Sequence, residues 1–331
     1  MDIVVAMRPR LVEWFFDDEA LARLEALGRV TLVGSYADLT SGDAPAALAG
    51  AEVLVTGWGT GPVDEAVLDS APRLAAVVHS AGSVRHLVTP RCWDRGVQVS
   101  SQAAANAVPV AEYALAMILL AGKDVFRAQR VYRSRRHPVD QQEVLAGRGN
   151  YRTRVGLVGA SKIGTRVVEL LRPFDLEVVV HDPYLSEERA AALGVRAVGL
   201  DELMATSRVV SLHAPMNEST RHMVGAAQLA LMPDGATLVN TARPGLVDEA
   251  ALLAELVSDR IQAVLDVTTL DSDPDSPVWD LPNVVLTPHV AGALGGELRR
   301  LGDGVVTDVE ALARTGRIPA AITAEAFALL A

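Results

Sequence analysis

Two series of short, nearly unbroken apolar runs constrain this 331-residue chain more than any other feature. The first series is DIVVA (2–6), RVTLV (29–33), AEVLV (51–55), LAAVVH (74–79) and VQVS (97–100). The second is RVGLV (154–158), LEVVVH (176–181), RVVSLH (208–213), ATLVN (236–240), IQAVLDV (261–267) and NVVLT (283–287). Strands with one wet face alternate polar and apolar residues; these do not, so both faces must be buried. Helix-length segments stand between them, such as DDEALARLEALG, opened by Asp17 as N-cap and closed by Gly28. The pattern predicts an α/β protein with two doubly wound parallel sheets. A long helical pattern from about Val108 to Arg135 separates the series, and another, from about Gly295 to Thr315, ends the chain. The last helix is expected to return to the first domain.

Bulk properties exclude several classes. The net charge is −11 and the one dense basic stretch, RAQRVYRSRR (127–136), reads as a solvated helix face, so no nucleic-acid partner is expected. The longest uninterrupted apolar run, ALAMILLAG (114–122), falls short of the roughly 20 residues of a membrane span, and no membrane association is expected. Cys92 is the only cysteine, which rules out an intrachain disulfide and fits a cytoplasmic location. No histidine spacing points to a metal.

The stretch RVGLVGASKIG (154–164) is a strand, a turn and a helix start, the setting of a dinucleotide-binding fingerprint. In G-x-G-x-x-G the first glycine makes the tight turn, the second lets backbone approach the pyrophosphate, and the third packs helix on strand. Gly159 and Gly164 fill the first and third places, but Ser161 stands in the second. Its hydroxyl has two possible roles, donating to a phosphate or crowding it. Asp182 ends the next strand, placed to accept from the adenosine ribose hydroxyls and to repel a 2′-phosphate. The predicted cofactor is therefore NAD, with Asp182 as a simple turn former the competing reading.

Three later stretches carry chemistry. LVNTARPGLVDEAAL puts Arg243 just beyond a strand; AVLDVTTLDSD puts carboxylates beyond the next; LTPHVAG puts His289 beyond the one after. In parallel sheets that rim is where ligands bind. These stretches, with VAEYALAMILL, SLHAP and LPNVVLTPH, resemble in order and spacing the D-isomer-specific 2-hydroxyacid dehydrogenase family, over essentially the whole chain.

The resemblance implies a Rossmann NAD domain, residues 103–288, inserted into a split flavodoxin-like substrate domain, residues 1–102 and 289–331. It implies NAD-dependent hydride transfer between NAD(H) and a small 2-oxo or 2-hydroxy acid of D configuration, and a homodimer. Arg243 would hold the substrate carboxylate and carbonyl, and His289 would be the acid/base. Asp271, in the place of a family glutamate, would stabilise the His289 imidazolium; Asp273 and Asp275 lie further along the same loop. Gly159, Ser161, Lys162 and Ile163 would hold the pyrophosphate, and His213, Ala214 and Pro215 would flank the adenosine side. Thr241 and Ala242, beside Arg243 and His289, would line the nicotinamide, and Asp266 would take its carboxamide. The loop HSAGSVRHL (79–87) matches the family's glycine-rich substrate loop, so Ala81, Gly82 and Ser83 would bind substrate, although the loop is shorter and lacks a glycine. Pro244 replaces a usual glycine; it disfavours helical geometry at Arg243 and removes a backbone donor, which fits an extended arginine and equally a narrowed pocket. Two alternatives stay open: an NAD(H)-sensing binding protein on the same fold, and a relative acting on an unusual anion such as phosphonate, phosphite or formate.

Overall fold

The computed structural model describes residues 1–328. The chain forms two compact units, one of Met1–Asn106 with the segment from Ala293 onward, the other Ala107–Gly292. The junctions lie a few residues beyond the expected 102/103 and 288/289.

In the first unit, strands β1 (Asp2–Ala6), β2 (Arg29–Leu32), β3 (Val53–Thr56), β4 (Ala76–His79) and β5 (Gln98–Ser101) form one all-parallel sheet in the order β2-β1-β3-β4-β5. That is the flavodoxin-like order. Successive side chains point to opposite faces. Ile3, Val5, Val53, Val55, Ala76 and Val78 accordingly join one core, while Val4, Ala6, Leu54 and Val77 join another. The long helix Leu298–Thr315, followed by a short one at Ala324–Ala328, buries Leu301, Val305, Val309 and Leu312 in the first of these cores. It crosses so close to the segment Pro9–Phe15 that a Cβ on Gly302 would meet the Phe15 carbonyl oxygen at 1.8 Å.

The second unit holds β6 (Arg154–Val158), β7 (Glu177–His181), β8 (Arg196–Ala197), β9 (Val209–Leu212), β10 (Thr237–Asn240), β11 (Gln262–Leu265) and β12 (Val284–Leu286). All pair parallel, in the order β12-β11-β10-β9-β6-β7-β8. Counted from β6, this is the Rossmann order 3-2-1-4-5-6 with one further strand, and the chain reverses its winding between β6 and β9. The same alternation splits Val210, Leu212, Leu238 and Leu265 from Val209, Val239 and Val264. The edge strand β8, two residues long, has no apolar run to mark it in the sequence.

The long helical pattern of the sequence breaks in two, Ala103–Gly122 and Val125–Arg135. Asp124 between them takes a left-handed conformation (φ 55°) with its carboxylate buried. That carboxylate accepts from Arg127 Nε (2.6 Å) and Gln262 Nε2 (2.9 Å) and pairs with Arg148 Nε (3.2 Å). Helix Ala103–Gly122 is long and apolar enough to cross a bilayer. Its face Ala111, Ala114, Ile118 and Ala121, however, packs into a core of the second unit, as helical spacing requires.

Candidate active site

Every candidate residue of the second unit leaves the carboxyl end of a strand in the same sheet, on both sides of the β6/β9 switch point where such sheets bind ligands. Gly159 turns the chain after β6 at φ 100°. A Cβ there would meet Ala214 N at 2.6 Å, and one on Gly164 would meet Gly159 O at 2.0 Å. The first and third glycines are therefore demanded by packing, and the turn delivers the chain into helix Lys162–Leu171. Ser161, Lys162 and Ile163 stand at its start, where backbone N–H groups have no intrahelical acceptor and attract anions. Lys162 is exposed, and Ile163 packs partly against the core.

Ser161 Oγ donates to the His213 carbonyl oxygen at 2.9 Å. A hydroxyl has one proton, so while this bond stands it cannot also donate to a phosphate. The side chain instead ties the turn after β6 to the segment after β9. His213 itself is buried, its Nε2 has no partner among the described residues, and burial pushes its pKa down to about 4. Ala214 is buried, and the exposed Pro215 accepts from Thr220 Oγ1 (2.7 Å). Asp182, after β7, accepts the Ala160 N–H on Oδ2 (2.7 Å) and the Tyr184 N–H on Oδ1 (2.8 Å). Each oxygen keeps a lone pair for a ribose hydroxyl.

After β10, the Asn240 side chain grips its own loop, with Oδ1 accepting the Ala242 N–H (3.0 Å) and Nδ2 donating to the Arg243 carbonyl (3.0 Å). Thr241 and Ala242 are buried, and Thr241 Oγ1 has no hydrogen-bond partner among the described residues. Arg243 is extended (φ −148°, ψ 145°), with Pro244 opening a short 3-10 turn, Pro244–Leu246, behind it. The guanidinium is exposed and uses Nη1 on the Ala242 carbonyl (2.7 Å).

After β11, Asp266 is buried and organises the segment beyond β12. Its Oδ1 accepts from Thr287 Oγ1 (2.7 Å) and the Val290 N–H (2.7 Å), and its Oδ2 accepts the Ala291 N–H (3.0 Å). Its backbone carbonyl accepts the His289 N–H (3.1 Å). Because Thr287 spends its proton on a carboxylate, Tyr113 must be the donor in the Tyr113 Oη to Thr287 Oγ1 bond (2.8 Å). Burial pushes the Tyr113 phenol up. This web holds His289 at φ 56°, a left-handed conformation uncommon outside glycine and often found at functional sites. The imidazole is exposed and makes no hydrogen bond among the described residues.

Asp271 is exposed in the 3-10 turn Leu270–Ser272, and neither it, Asp273 nor Asp275 forms an ion pair with His289. The side chain is one methylene shorter than glutamate. The carboxylate that does work in this loop is Glu249, which accepts from Thr268 Oγ1 (2.5 Å), from the Thr269 N–H (3.0 Å) and from Thr269 Oγ1.

In the first unit, Ala81 is buried and its carbonyl accepts the Gln102 N–H (2.9 Å), while Ser83 Oγ accepts the Arg85 N–H (3.3 Å). Gly82 between them is half-buried. Just before this loop, His79 Nδ1 is 2.9 Å from Thr56 Oγ1, and burial pushes the imidazole down to about 4.

Sequence reasoning missed Asn240, Glu249, Thr287 and Tyr113. Asn240 was the readable one, since an asparagine at a strand end readily bonds backbone two or three residues on. The others act across long sequence separations that no local pattern reports.

Residues 115–291 match the family model described as D-isomer specific 2-hydroxyacid dehydrogenase, NAD binding domain. The chain is 34% identical over 248 residues to a D-3-phosphoglycerate dehydrogenase of Mycobacterium bovis, covering 75% of this chain and 46% of that one. It is 33% identical over 267 residues to a glyoxylate reductase of Korarchaeum cryptofilum, covering 78% and 79%. The crystal structure of a D-lactate dehydrogenase from Aquifex aeolicus, complexed with NAD and lactic acid, superposes with a TM-score of 0.70 at 25% identity, covering 96% and 98%. A two-sheet α/β protein with a dinucleotide turn at its switch point is the class defined by fold and site. The chain belongs to the D-isomer-specific 2-hydroxyacid dehydrogenase family, and its second unit is that family's NAD-binding domain. It spans about half the length of the mycobacterial relative.

Proposed function

We propose that this chain is an oxidoreductase that transfers a hydride between NAD(H) and a small 2-oxo or 2-hydroxy acid of D configuration. The observation that supports it most is the pairing of exposed Arg243 and His289 heads with buried anchors. Asn240 fixes the backbone of Arg243, and Asp266, on the strand between, fixes that of His289. An arginine fork suits the carboxylate and carbonyl oxygens of a 2-oxo acid. An imidazole with a free ring is suited to give a proton to the ketone oxygen and to take it back from the alcohol. NADH, when bound, supplies the hydride to the carbonyl carbon.

The turn Gly159–Gly164 suits the cofactor's pyrophosphate because it leads into helix Lys162–Leu171, whose first N–H groups have no intrahelical acceptor. Asp182 would take the adenosine ribose hydroxyls. Asp266 Oδ2 accepts one hydrogen bond and has room for a second, as a carboxamide N–H would need. Asp271, exposed and unbonded to His289, has no part in this proposal. By family likeness we take the working form to be a cytoplasmic homodimer, which sedimentation of the full chain checks.

The test is NADH oxidation with glyoxylate, hydroxypyruvate, pyruvate, bulkier 2-oxo acids and phosphonopyruvate, beside calorimetric NADH binding. Turnover of at least one 2-oxo acid is expected. Tight NADH binding with no turnover of any would replace the enzyme by a nucleotide sensor.

A further inference from the structure

Two opposite charges flank a single residue of the dinucleotide turn. The Ala160 N–H donates to Asp182 Oδ2 at 2.7 Å, and the Ala160 carbonyl accepts from Arg189 Nη2 at 2.8 Å. The same Nη2 lies 3.1 Å from Thr165 Oγ1, in the first turn of helix Lys162–Leu171. Arg189 comes from helix Glu187–Leu193, and its own N–H is taken by the N-cap Ser186 Oγ (3.2 Å). Its guanidinium is exposed, and Nε and Nη1 make no hydrogen bond among the described residues. Among those residues no ion pair joins Asp182 to Arg189, so neither charge is cancelled by direct contact.

At this place a carboxylate selects the ribose 2′-hydroxyl of NAD, whereas a nearby arginine accommodates the 2′-phosphate of NADP. Here both bond the backbone of the same residue, Ala160, through two successive peptide units. A 2′-phosphate beside Asp182 meets a like charge, and the free N–H groups of Arg189 offer it charge-assisted bonds.

We propose that Arg189 is a second cofactor-specificity residue, which makes the NADH preference set by Asp182 shallow and is sufficient to reverse it once Asp182 is neutral. The proposal rests on the NAD reading above. Because both groups are at the surface, the NADPH component should weaken with salt over the range in which the Debye length falls below about 10 Å.

The experiment is calorimetric binding of NADH and NADPH to the full chain as wild type, Arg189→Ala, Asp182→Asn and the double variant. Arg189→Ala is expected to weaken NADPH about tenfold while NADH changes less than about twofold. Asp182→Asn is expected to tighten NADPH about tenfold, and the double variant to lose that gain. Reading the NADPH/NADH ratio cancels any loosening of the Ala160 turn, which both dinucleotides share. A ratio unmoved by Arg189→Ala, with NADH still bound, overturns this proposal and leaves the NAD reading standing. A wild type that binds neither dinucleotide overturns both.

Discussion

The carboxyl ends of the two sheets use polar residues in opposite ways. In the first unit, polar groups at the strand ends face one another: Thr56 bonds His79, and Ser100 and Gln102 both donate to Asp308 (2.8 and 3.1 Å). All five are buried. In the second unit the buried Asn240 and Asp266 side chains grip backbone, Asp266 also accepting from Thr287 Oγ1, and the charged or titratable heads they position, Arg243 and His289, are exposed. Rigidity comes from the buried anchor, and reactivity needs the unpaired head. A strand end that spends its heads on one another has closed itself to chemistry.

The largest test of this contrast is His289→Asn. It is expected to lower kcat about 10³-fold, the usual scale for losing a general acid, with NADH affinity changed less than about twofold. Retention of turnover within tenfold would remove the chemistry from the second unit's rim.

Next in size is acid sensitivity, which both units share through a buried neutral histidine. His79 and His213 are each pushed down to about 4 by burial. A base with a depressed pKa contributes its full share of stability above its unfolded value. That share is lost as pH falls from about 6.5 through about 4, because the unfolded chain takes up the proton first. The loss is on the order of 3 kcal/mol per histidine. Urea unfolding at pH 7 and pH 4.5 should show it, and His79→Gln should flatten the dependence. An equal pH dependence in that variant would mean the imidazole is hydrated in solution.

Smaller again is Ser161. Its hydroxyl is a strap between the turn and the His213 carbonyl, so Ser161→Ala should weaken NADH about fivefold, the scale of one net hydrogen bond. Ser161→Gly should weaken it further, through added backbone freedom. Tighter binding by the glycine variant would restore the crowding explanation.

The parallel sheets and the strand-end positions of Gly159, Asp182, Arg243 and His289 were legible because buried parallel strands leave continuous apolar runs. Pro244 pointed to an extended Arg243, because its ring disfavours helical geometry in the preceding residue, and equally to a narrowed pocket; the structure shows the first. Three things were not legible. The helix break at Asp124 depends on Arg127, Arg148 and Gln262, a partner set spread over distant segments. The direction of the Ser161 hydroxyl depends on where β9 ends. Arg189 lies seven residues beyond Asp182, not immediately after it where a phosphate-binding arginine is sought, and only the fold returns it to Ala160.

The smallest effect is expected at Asp308, where the buried carboxylates Asp266 and Asp308 part company. Asp266 uses both oxygens on backbone N–H groups, so an amide there would set its NH₂ against a donor. Asp308 receives both side-chain donors on Oδ2 alone, and an asparagine oxygen can take both. Burial raises the Asp308 carboxyl above its ordinary value, the bonds from Ser100 and Gln102 opposing this only in part. An acid with a raised pKa contributes stability at low pH and loses it as pH rises through the folded value. Asp308→Asn should therefore be neutral or stabilising by up to about 1 kcal/mol at pH 7. The gain should vanish below the ordinary aspartate pKa, where both side chains are uncharged. Thermal unfolding at pH 7 and pH 3.5 reads this directly. Marked destabilisation at pH 7 would show that the first sheet's rim needs the Asp308 charge and is not closed by neutral pairing alone.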